Sequence, residues 1–514
     1  MKILLVAVAS MLVACVAPPV AAPETTVSQD TPIRVSQNVQ NQVDILFMID
    51  NSPSMEAMQA ELVAKFPQFL DVFDKLAHPT DGSMPQYADL HIGVVTSDYG
   101  AGNVDGAGCQ RSPGGQRGLL QAKGAAAAAS CGAPTGAAYI EYAFGASGDT
   151  CNLAAGCSSV HLGEQFACMA SVGAKGCGFE HQLESVYAAL RSTDATNAGF
   201  LRADALLAVV FVTNEDDGSA PPDTDIFDPT KINEYGAYTT FRQTRFGVAC
   251  GTPPALVPYA ASMGPLVACE AAPDSARSMI GREWDVKRYV DLFTLPPTAG
   301  GIKADPANNV ILVGIDAPTS PVETLLATVG TGGGKPPNAA YVPCSPVGPQ
   351  CAVTLQHSCQ NQASPAFFGD PPVRLGTVIE AAHLNQSANI CGTDPTKPPD
   401  YSQTLQKVAS LISSSLKPGC VPAPLTSVNE PDCVVEDVTT RNDGTQTQVS
   451  IPACTTAAGR YPCWSATVTP RCAPPASPQS ISIDIERNGV PAPPMTSARV
   501  ECSTRACPAD HPDC

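Results

Sequence analysis

The sequence predicts an α/β fold: a doubly wound, mostly parallel sheet with helices on both faces, disulfide-rich insertions and a small β-rich C-terminal module. Two observations predict it. Short, largely apolar runs rich in β-branched residues recur at Val43–Ile49, Leu90–Val95, Leu206–Val212 and Val310–Ile315, as expected of strands covered on both faces of a parallel sheet. Between and after them lie stretches with helical spacing, and strands that alternate with helices build wound sheets.

Each element has its own warrant. Met55, Met58, Leu62, Phe66, Phe69, Phe73 and Leu76 recur at steps of three and four, which places them on one face of an amphipathic helix. Pro67 falls inside that helix and is expected to kink or divide it. Further helices are predicted at Glu180–Arg191, Asp285–Phe293, Arg374–Ala382 and Tyr401–Leu416. The long interval from Tyr99 to Phe166 holds Cys109, Cys131, Cys151 and Cys157 among Gly and Ala. A structureless loop of that length is improbable in a compact domain, so disulfides are expected to order it as an insertion. The run Ala125–Ala129 favours helix but is too short to stand alone.

After Cys420 the helical periodicity stops, and Cys433, Cys454, Cys463, Cys472, Cys502, Cys507 and Cys514 fall among Pro, Thr and Val. Residues 421–514 are therefore read as a disulfide-stapled β module, with alternating strands at Gln448–Ile451 and Ser480–Ile485. The preceding domain spans residues 43–420. No convincing internal repeat is present.

The N-terminus carries targeting features. Lys2 and the apolar run Ile3–Val13 have the charged and hydrophobic parts of a secretory signal, and the run is shorter than the roughly 20 residues of a spanning helix. Leu12-Val13-Ala14-Cys15 resembles a bacterial lipobox, which implies a signal peptide over 1–14 and a lipid on Cys15. The alternative is an ordinary signal cut near Ala21-Ala22. An acyl chain would hold the protein at a membrane. Residues 15–42, rich in Pro, Ala, Thr, Ser and Gln, are expected to be a flexible tether. Val16 follows Cys15 where an Asp would favour inner-membrane retention, which by resemblance to other bacterial lipoproteins implies the outer membrane.

The chain has 21 cysteines, and setting Cys15 aside leaves an even 20, as full pairing in an oxidising compartment requires. Without Cys-x-x-Cys or a finger-spaced His, structural zinc is a weak alternative. A formal charge of −19, from 29 basic and 48 acidic residues, argues against nucleic acid, which is bound by clustered Lys and Arg. The absence of His-Glu-x-x-His and Gly-x-Ser-x-Gly removes two common hydrolase signatures, and the seven histidines are scattered.

The candidate site follows the first strand. Asp50-Asn51-Ser52-Pro53-Ser54 runs straight into a helix, and one carboxylate with two hydroxyls offers the hard oxygen ligands that Mg2+ or Ca2+ prefers. The same residues could instead cap the helix and satisfy its free amides. A second acidic stretch, Asn214-Glu215-Asp216-Asp217-Gly218 with Asp223 and Asp225, could hold calcium, although the simpler reading is a solvated acidic loop without EF-hand spacing.

Val43–Met55, with its strand and Asp50-x-Ser52-x-Ser54, resembles the start of a von Willebrand factor type A (VWA) domain. The layout as a whole resembles cysteine-rich VWA lipoproteins of myxobacteria and related bacteria. The resemblance covers roughly Val43–Cys420, with Val94–Asp98, Cys177–Glu180 and Val212–Asp217 as its other signposts. It implies a metal-ion-dependent adhesion site in which Ser52 and Ser54 touch the ion, Asp50 acts through water, and a carboxylate of the partner completes the shell. The family adds a Thr from a second loop and an Asp at the end of the fourth strand. Here Ala174 and Asn214 stand at those places, which removes one ligand and one charge; Glu215, Asp216 or Asp217 are the candidates to compensate. The expected metal set is therefore Asp50, Ser52, Ser54, Asn214, Glu215 and Asp216, for Mg2+ or Ca2+.

The resemblance implies a non-enzymatic, membrane-tethered adhesion or scaffolding protein of the cell envelope, with a protein or glycan ligand at the C-terminal ends of the strands. Two alternatives stand beside it: a structural envelope protein without metal-dependent binding, and a secreted hydrolase.

Overall fold

The computed structural model describes residues 35–37, 42–80, 87–328 and 351–503 together with 342, 344, 345 and 347, leaving out 106–108, 112–113, 146–147, 204, 237–239, 260–261, 274–281, 417–418, 422–423, 441–445, 469–478 and 487–495. The signal segment, Cys15 and most of the expected tether lie outside the described residues.

A mixed seven-stranded sheet organises the α/β part. In chain order its elements, with one outlying strand first, are β1 (Val35–Gln37), β2 (Gln42–Ile49), α1 (Glu56–Ala77), β3 (Asp89–Thr96), β4 (Ile140–Ala143), β5 (Thr150–Cys151), α2 (Ser159–Ala170), α3 (Gln182–Leu190), β6 (Leu206–Val212), α4 (Lys287–Thr294), β7 (Val310–Asp316), α5 (Val373–Ala381), β8 (Leu384–Asn389) and α6 (Ser402–Ser415). The sheet order is β8-β7-β6-β2-β3-β4-β5. The first five strands run parallel, and β4 and β5 extend the β3 edge antiparallel. That antiparallel edge is supplied by the interval expected to be a disulfide-ordered insertion.

The strands are apolar because both faces are covered. On one face Val43, Ile45, Phe47 and Ile49 pack with α1, α2 and α6 through Phe66, Phe69, Phe166, Leu405 and Ile412. On the other, Leu46 and Met48 meet α3, α4 and α5 through Leu183, Val186, Leu292, Leu375 and Val378. Asp44 is the fully buried polar residue in β2. It is paired with Arg202, whose Nε lies 2.7 Å from its Oδ1.

Pro67 does not divide α1, which runs unbroken through it. An interior proline costs about 3 kcal/mol. Phe66, Phe69 and Phe73 are all buried, and each contributes roughly 2–3 kcal/mol on leaving water, so packing outweighs the lost hydrogen bond. The insertion ends earlier than expected, because α2 begins at Ser159 and already contains Phe166, with Ser158 Oγ accepting from His161 N. Cys131–Cys168 and Cys109–Cys177 tie the interval to α2 and to the loop before α3, and Cys151–Cys157 closes a small loop within it.

Among the described residues, five more disulfides join Cys250–Cys269, Cys344–Cys351, Cys359–Cys391, Cys433–Cys502 and Cys454–Cys463. The last two staple the C-terminal residues, which with β1 form a four-stranded sheet and with Gly419–Cys420 a three-stranded one, around Val435, Ile451, Trp464, Ile483 and Val500. The expected strands at Gln448–Ile451 and Ser480–Ile485 appear as Gln446–Ile451 and Ile481–Glu486. The tether expected over 15–42 is not wholly free, since β1 pairs antiparallel with Thr496–Cys502, Val35 opposite Val500. No helix among the described residues is long and apolar enough to cross a membrane.

Candidate metal site at the C-terminal edge of the sheet

Asp50 leaves β2 with its backbone still bound to β6, its N–H donating to Val212 O at 3.0 Å. Its side chain is fully buried and accepts three hydrogen bonds: from Ser52 N (2.8 Å) and Ser97 Oγ (3.0 Å) on Oδ1, and from Thr213 Oγ1 (2.8 Å) on Oδ2. Ser97 and Thr213 are the first residues after β3 and β6, so three adjacent strand ends converge on one carboxylate. Burial raises the Asp50 carboxyl above its ordinary range, and the bonds from Ser52, Thr213 and Ser97 oppose that rise.

The two serines adjoin this cage. Ser52 Oγ and Ser54 Oγ are 3.1 Å apart, and Ser54 Oγ donates to Asn214 Oδ1 at 3.0 Å. Neither caps α1: the N-cap residue is Met55, without a side-chain cap bond. The helix-capping alternative therefore does not account for Ser52 and Ser54.

The loop expected to bring the second-loop ligand is at hand. Gly176 N donates to Asn51 O at 2.8 Å, and Gln59 of α1 clamps the assembly, its Nε2 donating to Asp50 O (2.7 Å) and Gly173 O (2.8 Å). A Cβ at Gly176 would lie 2.2 Å from Asn51 Oδ1, so any larger residue there would displace the Asn51 amide. Ala174 in this loop is half-buried and offers no side-chain oxygen.

After Asn214, Asp216 and Asp217 of the acidic stretch are engaged away from the site. Asp216 is fully buried and accepts from Arg374 N and Leu375 N at the start of α5, at 3.0 and 3.1 Å from Oδ1. Burial pushes its carboxyl up to about 7 despite the Arg374 charge and these donors. Asp217 accepts from Leu183 N (2.9 Å) of α3 and from Arg374 Nη2 (3.1 Å). Glu215 is buried as well, and its carbonyl accepts from Gln182 Nε2. Asp225 pairs with Arg282 at 2.6 Å, while Asp223 is exposed. Asp216 and Asp217 are thus held by the starts of α5 and α3 and by Arg374, and Asp225 by Arg282, instead of gathering around a calcium ion. Nor is the stretch a solvated loop, since Glu215, Asp216, Asp217 and Ser219 are all buried.

The donor set fits a hard cation in spacing better than in charge. Neighbouring oxygens around octahedral magnesium lie about 3 Å apart, and the contacts Ser52–Ser54 and Ser54–Asn214 have that spacing. All three groups are neutral, so Asp50 supplies the nearby negative charge from behind them. Asn214 also buries an Nδ2 that has no acceptor among the described residues. Among the described residues the only other cluster of metal-type side chains is Cys454, Cys463 and Glu486, and its two sulfurs are bonded to each other.

Ser97, Thr213, Gln59 and Gln182 carry no assignment from the sequence. Gln182 Nε2 donates to Thr213 Oγ1 at 3.1 Å and so supports the cage from α3. The available signal was position: Ser97 and Thr213 follow their strands as Asp50 follows β2. No protein-family model matches this chain, and no curated protein matches it either.

Proposed function

We propose that the protein is a non-enzymatic binding protein of the bacterial cell envelope, lipid-anchored through Cys15 in the outer membrane. Its α/β head engages a protein or glycan ligand at the C-terminal edge of the sheet through a weak, VWA-like cation site. One observation carries this reading: Asp50, Ser52, Ser54 and Asn214 assemble at that edge with oxygen spacings suited to a hard cation. Open parallel sheets take ligands at this edge. Ser52 and Ser54, with Asn214 Oδ1, would hold Mg2+ or Ca2+, and Asp50 would orient the hydroxyls and balance charge. The bound ion would supply an electrophilic point for a ligand carboxylate.

A structural envelope role without cation binding has one observation in its favour. Ser54 already donates to Asn214 Oδ1 and lies 3.1 Å from Ser52 Oγ, so the hydroxyls and the amide oxygen have partners without an ion. Calorimetric titration of lipid-free protein with Mg2+, Ca2+ and Mn2+ separates the two readings. The cation reading expects saturable heat, lost in Asp50→Ala and strengthened in Asn214→Asp, which restores a charge. Absence of heat from both the wild type and Asn214→Asp would overturn it in favour of the structural role.

A further inference from the structure

Away from the Asp50 cage, four cations crowd one aromatic ring. Around the Tyr235 ring lie the guanidinium carbons of Arg282, Arg242 and Arg245, at 4.9, 5.7 and 6.0 Å, and Lys231 Nζ at 5.2 Å. Arg282 and Arg245 also lie over Phe246, at 4.7 and 5.2 Å, and Arg245 lies 5.0 Å from the Tyr259 ring. Such concentration is unexpected in a chain with 29 basic and 48 acidic residues.

Counter-charges account for part of the cluster. Asp225 takes Arg282, and Glu234 takes Lys231 at 3.1 Å. Arg242 is buried and donates to the carbonyls of Ile226 and Asp228. Arg245 is different: it donates to the Glu234 carbonyl and has no carboxylate at ion-pair distance among the described residues. It is half-buried, as are Arg282 and Tyr259. A guanidinium partly removed from water beside a second guanidinium is costly unless an anion joins it. Burial and the neighbouring Arg282 charge lower the Arg245 pKa from its ordinary value, against the opposing influence of Tyr259, Tyr235 and Glu234.

We propose that Arg245 and Arg282, held against Phe246 and Tyr235, form a binding site for one oxyanion, the carboxylate or sulfate group of an acidic ligand. The rings hold the two guanidinium planes by cation–π contact; Arg282 already gives its Nε and Nη2 to Asp225 and Tyr235, so Arg245 supplies the fork to the oxyanion and Arg282 adds its remaining Nη1. Tyr235 and Phe246 belong to the same apolar cluster as Phe179, Phe227 and the Cys109–Cys177 disulfide. Cys177 directly follows Gly176, so the oxyanion site is joined by continuous packing to the loop at Asp50.

The test uses the lipid-free full chain in chelator, which separates the result from any cation at Asp50. Sodium glucuronate and sodium sulfate are titrated calorimetrically against sodium chloride of matched ionic strength. The expected result is saturable heat with at least one oxyanion, about tenfold or more weaker in Arg245→Gln and intermediate in Arg245→Lys. The stronger of the two titrations tells a carboxylate ligand from a sulfated one. No saturable heat with either salt, or equal affinity in Arg245→Gln, overturns the proposal. If Arg245→Gln does not unfold cooperatively, Arg245→Lys decides the question, since it keeps the charge and loses the fork; unchanged affinity there has the same adverse meaning.

Discussion

Replacing Asp316 by Asn is expected to stabilise the protein, by an amount that grows with pH. Asp316 ends β7 and is buried, with its carboxylate folded against Gly314, where an added Cβ would lie 2.5 Å from Oδ2. Burial first, then the charges of Asp216 and Glu380, push its pKa from 3.8 up to about 8; its own backbone N–H opposes them. The folded state therefore holds this proton more tightly than the unfolded chain. Between about pH 4 and pH 8 the native protein binds more protons, and this group's contribution to stability falls as pH rises. At about 1.4 kcal/mol per unit, the carboxyl costs up to roughly 4 kcal/mol at pH 7. An Asn amide keeps the shape without the charge but buries two N–H donors, so a net gain of roughly 1–3 kcal/mol is expected. Urea unfolding followed by circular dichroism at several pH values would measure it. A wild-type to variant difference that stays constant with pH, or a variant less stable at pH 8, refutes the argument.

Three further outcomes follow from the same contacts. Asp50→Ala leaves three buried donors without their acceptor and should cost roughly 2–5 kcal/mol in urea unfolding, in addition to abolishing cation heat. Phe66→Ala removes a ring stacked 3.5 Å from Phe166 and 5.2 Å from Phe69, and a loss of about 3–5 kcal/mol is expected; a loss below about 1 kcal/mol would mean that the site collapses to fill the space. Joint Cys109→Ser and Cys177→Ser opens a link between residues 68 apart, for a loss of roughly 2–4 kcal/mol. Limited proteolysis should then cut the 171–177 loop sooner, and unchanged cleavage would count against its role as a brace.

Much of the fold is local information. The strands at Val43, Leu90, Leu206 and Val310 and the helices after them were legible because burial on two faces demands apolar runs, and burial on one face demands helical periodicity. The helix at Ser159 was equally periodic, through Leu162, Phe166 and Met169, but lies among cysteines and glycines that pointed to irregular chain. Pro67 misled for the opposite reason: local propensity argues for a break, and the aromatic cluster around Phe166 overrules it. Asp50, Ser52 and Ser54 were legible as a site because a short polar triplet directly follows a buried strand.

The sequence by itself determined the strand and helix periods, the richness in cysteine and the turn at Asp50. Tertiary structure alone decided which cysteines pair, that Asp216 and Asp217 serve the starts of α5 and α3, and that Ser97 and Thr213, 47 and 163 residues from Asp50, close around its carboxylate. The physical reason is range. A period is set by neighbours along the chain, whereas the acceptor of a buried hydroxyl is set by which strand ends the parallel register places side by side.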